Sequence, residues 1–201
     1  MLHNFNISLK YEREQAQKAD SFYRNILGVS EIIRFNTDSK SDMEMQRQDV
    51  DLLIMRKGVC YRVSEKFREK DFGDFYIEIY SKYPDTPGWI YTGSPNAILY
   101  FTPLNIYWIT HKTLTSFCLE KLMPNINKLW FNDLYKSHRT IMSKEIVIDQ
   151  TPIHINLIQA HNKAGNSWET MGISLGFDIL EKFGVKFLKY RVGEELAKDE
   201  T

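Results

Sequence analysis

The sequence predicts an α+β fold, a central mixed β-sheet flanked by helices, on three observations. Residues 11–27 set Ala16, Ala19, Phe22, Tyr23, Ile26 and Leu27 at helical spacing. Between 29 and 110 come several short runs rich in Val, Ile, Tyr and Phe, the composition of strands. A second helix-like run, HKTLTSFCLEKLM, follows at 111–123 and stops at Pro124.

Taken in order, the first helix spans 11–27 and Gly28 ends it. VSEIIRF at 29–35 is a short strand, and the polar stretch 36–48, almost without aliphatics, is a loop. VDLLIM (50–55) and VCYRVSEKF (59–67) form a hairpin through Arg56-Lys57-Gly58. GDFYIEIYS (73–81) is a third strand by alternation. Pro84, Pro87, Gly88, Gly93 and Pro95 break the segment that follows, and 97–110 supplies one or two more strands. Residues 127–139 fit neither period decisively, EIVIDQTPIHINLI (145–158) reads as strand, and 168–184 reads as a helix. The last ten or so residues form a polar tail. No repeat or long linker divides the chain, so one domain is expected over 1–201. Its core spans about 11–110, with an extension of helices and strands over about 111–190.

Composition narrows the function classes. Of 201 residues, 43% are hydrophobic and 26% charged, ordinary for a folded chain. Lys+Arg and Asp+Glu balance at 26 each, so no global field draws the protein to nucleic acid or membrane, and polyanion binding would need a local patch. Cys60 and Cys118 sit in apolar runs and read as buried thiols of a reducing compartment. Neither a signal-peptide pattern nor a membrane-length apolar run is seen, so the expected location is cytoplasmic, without membrane association.

Chemistry concentrates around the hairpin. Cys60, Arg62, Ser64 and Lys66 share one face of the second strand, and Tyr61, Val63 and Glu65 the other. Pairing through the turn brings Asp51 near 64–66, where its carboxylate could hold a divalent cation beside the Lys66 ammonium. An Asp opposite a Lys across a hairpin is also a common surface ion pair. Further carboxylates crowd this region: Asp42, Glu44, Asp49, Glu65 and Glu78. Glu78, set between Tyr76 and Tyr80 in an aromatic strand, would need a metal or Lys66 as partner if buried. His111, His138, His154 and His161 are scattered, without helical zinc-pair spacing. The four tryptophans read as core, with Trp89 of Pro-Gly-Trp the candidate exception.

The segment from Asp42 to Ile90, with DMEMQRQDVDLLI, YRVSEKFREKDFGDFYIEIYS and PGWI, resembles the PD-(D/E)xK nuclease superfamily. Within it, the segment is most similar to small restriction-endonuclease-like proteins of bacteria and phages. The resemblance implies a restriction-endonuclease-like fold and Mg²⁺- or Mn²⁺-dependent hydrolysis of phosphodiester bonds in nucleic acid, with DNA the expected partner. It assigns Asp51 as the metal-binding acid and Lys66 as the lysine of the second motif. It departs at Ser64, where the superfamily carries Asp or Glu. Glu65, which points to the opposite face unless a bulge turns it, or Glu78 would replace that acid, giving Asp51 and Glu78 as metal ligands. Many members add an acid from the first helix, where Glu12, Glu14 and Asp20 are available. Gln46 is expected to touch a metal-bound water or substrate, or to cap its loop. Arg68, with Arg56, Lys57, Arg62 and Lys70, lies either on the phosphate backbone or on a solvated face. The alternative function is a catalytically inactive nuclease-fold protein that binds nucleic acid or a protein partner.

Overall fold

A computed structural model of the protein describes residues 3–4, 15–16, 18–164 and 166–192. The expected start of the first helix, with Glu12 and Glu14, and the tail from 193 lie outside the described residues. In chain order the elements begin with β1 (His3–Asn4), α1 (helical over 18–26, its last turn Phe22–Ile26 a π turn), β2 (Val29–Arg34) and α2 (Lys40–Arg47). Then come β3 (Leu52–Arg56), β4 (Val59–Phe67), β5 (Asp74–Lys82), β6 (Thr86–Pro87), α3 (Trp89–Thr92), β7 (Ala97–Phe101) and β8 (Asn105–Thr110). Next are α4 (His111–Ser116, running on through a π-helical stretch Phe117–Leu122), α5 (Leu129–Ser137), β9 (Ile141–Ile148) and β10 (Thr151–Ala164). The chain closes with β11 (Asn166–Gly176), α6 (Phe177–Lys182) and β12 (Phe187–Arg191).

The fold is α+β, and its strands form two six-stranded mixed sheets. One compact unit contains Gly73–Thr92 and Thr113–Val185; the other contains the chain up to Phe72 from α1 onward, Gly93–Lys112, and the segment from Lys186. Each unit is built from several stretches of sequence.

The unit that carries the hairpin has the strand order β12-β8-β7-β4-β3-β2, antiparallel except for β4 beside β7, where Val63 pairs with Ala97. The β3–β4 turn is two residues long, Lys57 and Gly58, both at positive φ (51° and 76°), which matches the twist of a tight hairpin. One face of this sheet is apolar and carries Leu52, Ile54, Val63 and Leu99. The first helix lays Ala19, Phe22 and Tyr23 on it, at the spacing the sequence sets. Each Val or Leu buried there contributes about 1.5–3 kcal/mol of transfer free energy.

In the second unit β10, β11 and β5 run antiparallel as neighbours, with β6 beyond β5 and both β9 and β1 along the far edge of β10. Phe75, Ile77, Ile155, Leu157, Met171 and Ile173 are buried within it, as are Phe131 and Leu134 of α5 and Leu180 of α6. The β9–β10 turn again uses two left-handed residues, Asp149 and Gln150.

Several expectations need correction. Residues 168–176 are strand, not helix: Met171, Ile173 and Leu175 alternate with Thr170, Gly172 and Ser174, and only α6 beyond them is helical. The polar stretch 36–48 contains α2, a wholly surface helix that burial patterning could not reveal. Its signal is a cap, Ser39 accepting from the Asp42 backbone N–H at 3.2 Å. Residues 127–139, without a decided period, hold α5. Cys118 is buried as expected, but Cys60 is exposed because its face of β4 is open at the hairpin end. The third strand, β5, does not join the hairpin: β4 has β3 and β7 as neighbours, and β5 pairs with β11 and β6. Among the described residues, no helix is long and apolar enough to cross a membrane.

Candidate active site

The site grows from the end of α2. Past Arg47 the backbone N–H of Asp49 still donates to Gln46 (3.0 Å), while Asp49 itself turns left-handed at φ 55°, a conformation Asp tolerates better than most residues. The chain then enters β3 through Asp51, whose N–H donates to the Val63 carbonyl (2.9 Å) and whose carbonyl accepts from Phe35 (2.8 Å). The turn at 49 thus aims two carboxylates, separated by Val50, at the same stretch of β4.

Ser64 stands between them, fully buried. Its hydroxyl donates to Asp49 Oδ2 at 2.9 Å and has Asp51 Oδ2 within reach at 3.3 Å. One hydroxyl proton serves two carboxylates, so they compete for it. Asp51 Oδ2 also accepts the Glu65 backbone N–H at 2.7 Å. Lys66 Nζ donates to Asp49 Oδ1 at 2.6 Å, the length of a charge-assisted bond. Burial holds the Asp51 carboxyl above the ordinary carboxylate range, and Asp49 pushes the same way, against the pull of Lys66, the Glu65 N–H and Ser64. His111, at the β8–α4 junction, is also close enough to feel Asp49. Burial lowers its pKa, and Arg62 lowers it further while Asp49 opposes the shift.

The structure therefore brings Asp51 and Lys66 to one face of the hairpin, as the alternation of β4 requires, and adds Asp49. Asp49 was visible in the sequence only as one acid among several. The signal that identifies it is Asp-Val-Asp directly after a helix end, where a left-handed first Asp turns toward the face of the second.

Glu65 points the other way. It accepts from Arg34 at 2.6 Å and from the Tyr23 hydroxyl at 2.7 Å, beneath the first helix. Arg34 also binds Asp20 (2.6 Å) and the Ala16 carbonyl (2.9 Å), so Glu65 and Asp20 both serve that network. No bulge interrupts the β3–β4 register between 59 and 63, so the strand alternation stands. Gln46 caps its loop by donating to the Phe35 carbonyl at 2.7 Å. The Arg68 guanidinium lies 5.5 Å from the centre of the exposed Phe72 ring.

Glu78 lies on β5 in the other unit, opposite Gly172. The Pro-Gly-Trp turn closes over it. The Gly88 N–H donates to Ile79 (2.9 Å), and Trp89 N approaches Glu78 Oε1 at 3.4 Å. A Cβ at Gly88 would sit 2.4 Å from the Glu78 carbonyl oxygen, so only glycine permits this approach. Trp89 is 8% exposed and meets Phe75 edge-on, a core residue.

The donor set suits a hard divalent cation: two carboxylates sharing one hydroxyl, with a cation already drawn to them in the form of Lys66. Among the described residues, no group of three His, Cys, Asp or Glu side chains converges as a ready-made metal cage. Comparison with protein-family models, with curated proteins and with solved structures gave no match to this chain.

Proposed function

We propose that the protein is a metal-dependent hydrolase of phosphodiester bonds in nucleic acid, DNA first among candidates, working from the Asp49–Asp51–Ser64–Lys66 face of the hairpin. One observation carries the reading: two carboxylates share a single buried serine hydroxyl, and the Lys66 ammonium bonds one of them. Mg²⁺ keeps several waters and needs only one or two protein carboxylates, so Asp49 and Asp51 suffice to hold it. When bound, such an ion supplies Lewis-acid polarisation of the phosphoryl oxygen and a more acidic water. Ser64 fixes the relative placing of the two acids. Lys66 orients the attacking water or meets the charge that builds on the phosphate. Arg62, two residues before Ser64 on the same face of β4, is placed to meet a neighbouring phosphate.

The test is cleavage of plasmid and single-stranded DNA with Mg²⁺, Mn²⁺ or EDTA. Metal-dependent cleavage is expected, reduced about a hundredfold or more by Asp51→Ala or Lys66→Ala. Absence of cleavage, or cleavage indifferent to both Asp51→Ala and Lys66→Ala, overturns the reading. Ser64, where the superfamily carries an acid, favours a second reading, nucleic-acid binding without catalysis. It predicts retention of intact DNA under the same conditions.

A further inference from the structure

Resting on the metal-binding reading above, we infer that Lys66 is a built-in competitor for the cation position. Its ammonium neutralises Asp49 in the metal-free protein and is displaced when a divalent ion loads. The geometry carries this. Lys66 Nζ is 2.6 Å from Asp49 Oδ1, while Asp49 Oδ2 takes the Ser64 hydroxyl, so both Asp49 oxygens are engaged. The lysine and aspartate side chains are only 25% and 15% exposed, so solvent screens the pair incompletely.

A divalent ion binds carboxylate oxygen at roughly 2.0–2.1 Å. An ammonium holding its hydrogen bond to the same carboxylate would then lie about 4 Å from a doubly charged ion, strongly repelled at the dielectric of a half-buried site. One of the two must leave. Lysine is suited to doing so: it binds as a point charge on a flexible four-carbon stem, without the fixed fork of arginine. Arg34, which holds Glu65 two-handed on the opposite face, has no such freedom.

Exchange has an ordering consequence. Before loading, the ammonium is occupied by Asp49. After loading, it is released beside the ion, in reach of a bound phosphate. Ion loading thus arms the lysine, and ion affinity is held down by the pair that must break.

Calorimetric titration of the full chain with Mn²⁺, and separately Mg²⁺, tests this on the wild type and on Lys66→Met. The expected result is binding about tenfold tighter or more in Lys66→Met. Adding Asp51→Asn to Lys66→Met should abolish the gain. Equal or weaker binding in Lys66→Met, with the wild type still binding, overturns the exchange and leaves the metal-binding reading in place. No binding by either protein overturns both. Should Lys66→Met not fold, Lys66→Gln carries the same comparison. In wild-type protein, a Mg²⁺ titration followed by NMR of the Lys66 ammonium should show the Asp49-bonded signal vanish at saturation. Its persistence overturns the exchange.

Discussion

Two clusters lie on opposite faces of β4 and share its consecutive residues 64–66, and each sets two carboxylates beside one cation. On the helix face Arg34 binds Glu65 and Asp20; on the site face Lys66 binds Asp49 with Asp51 nearby. The formal charge is the same, yet the chemistry differs. Arg34 spreads several N–H donors over both acids, the Tyr23 hydroxyl adds another, and Asp20 reaches solvent. On the site face Lys66 donates to Asp49, while Asp51 accepts from a serine hydroxyl shared with Asp49 and from one backbone N–H. The first cluster is satisfied and holds a helix down. The second gathers two carboxylates about one hydroxyl, the kind of oxygen donors a hard cation takes.

The sharpest way to break this comparison is Arg34→Met. With Arg34 and Glu65 side chains 19% and 4% exposed, removing the arginine strands a buried carboxylate, and the stability loss should be about 3–5 kcal/mol by denaturant titration. Lys66→Met should cost less in metal-free protein, about 1–2 kcal/mol, between exposed and fully buried pairs. Equal losses would mean the two faces are energetically alike. Ser64→Ala follows at about 1 kcal/mol, since it removes the hydroxyl that the two acids share.

The smallest effect concerns His111, whose folded pKa lies below the ordinary imidazole value mainly through burial. As pH falls below that ordinary value, the unfolded chain takes up a proton that the folded chain resists, so stability drops down to the lowered pKa. His111→Gln should flatten that part of a stability-versus-pH curve. An unchanged slope would show that His111 titrates alike in both states.

Much of this was legible from residues alone. The period of 18–26 and the alternation of 59–67 fix which side chains face the core, and so place Ser64 and Lys66 together and Glu65 apart. The hairpin was legible because Lys57-Gly58 accepts left-handed geometry. The helix at 40–47 was not, since a surface helix held by a serine cap leaves no apolar stripe. Asp49 was missed because its role depends on one backbone angle, which alternation does not encode. The partners of β5 were missed for a different reason. Strand character is local, but β5 pairs with β11, about ninety residues later, and nothing in its own sequence names that partner.

That long reach has a bearing on how the molecule comes into being. As the chain emerges during synthesis, β2, β3, β4, β7 and β8 can assemble once Thr110 is made, leaving one sheet short only of β12. At that moment β5 has only the two-residue β6 as a companion, and its apolar residues Phe75, Ile77 and Ile79 wait for β11. A fragment ending at 110 would carry the hairpin acids and their lysine, yet it would also display a bare, sticky ribbon. Such a piece should clump before it could be studied, so trimming the protein to its hairpin sheet would defeat the attempt.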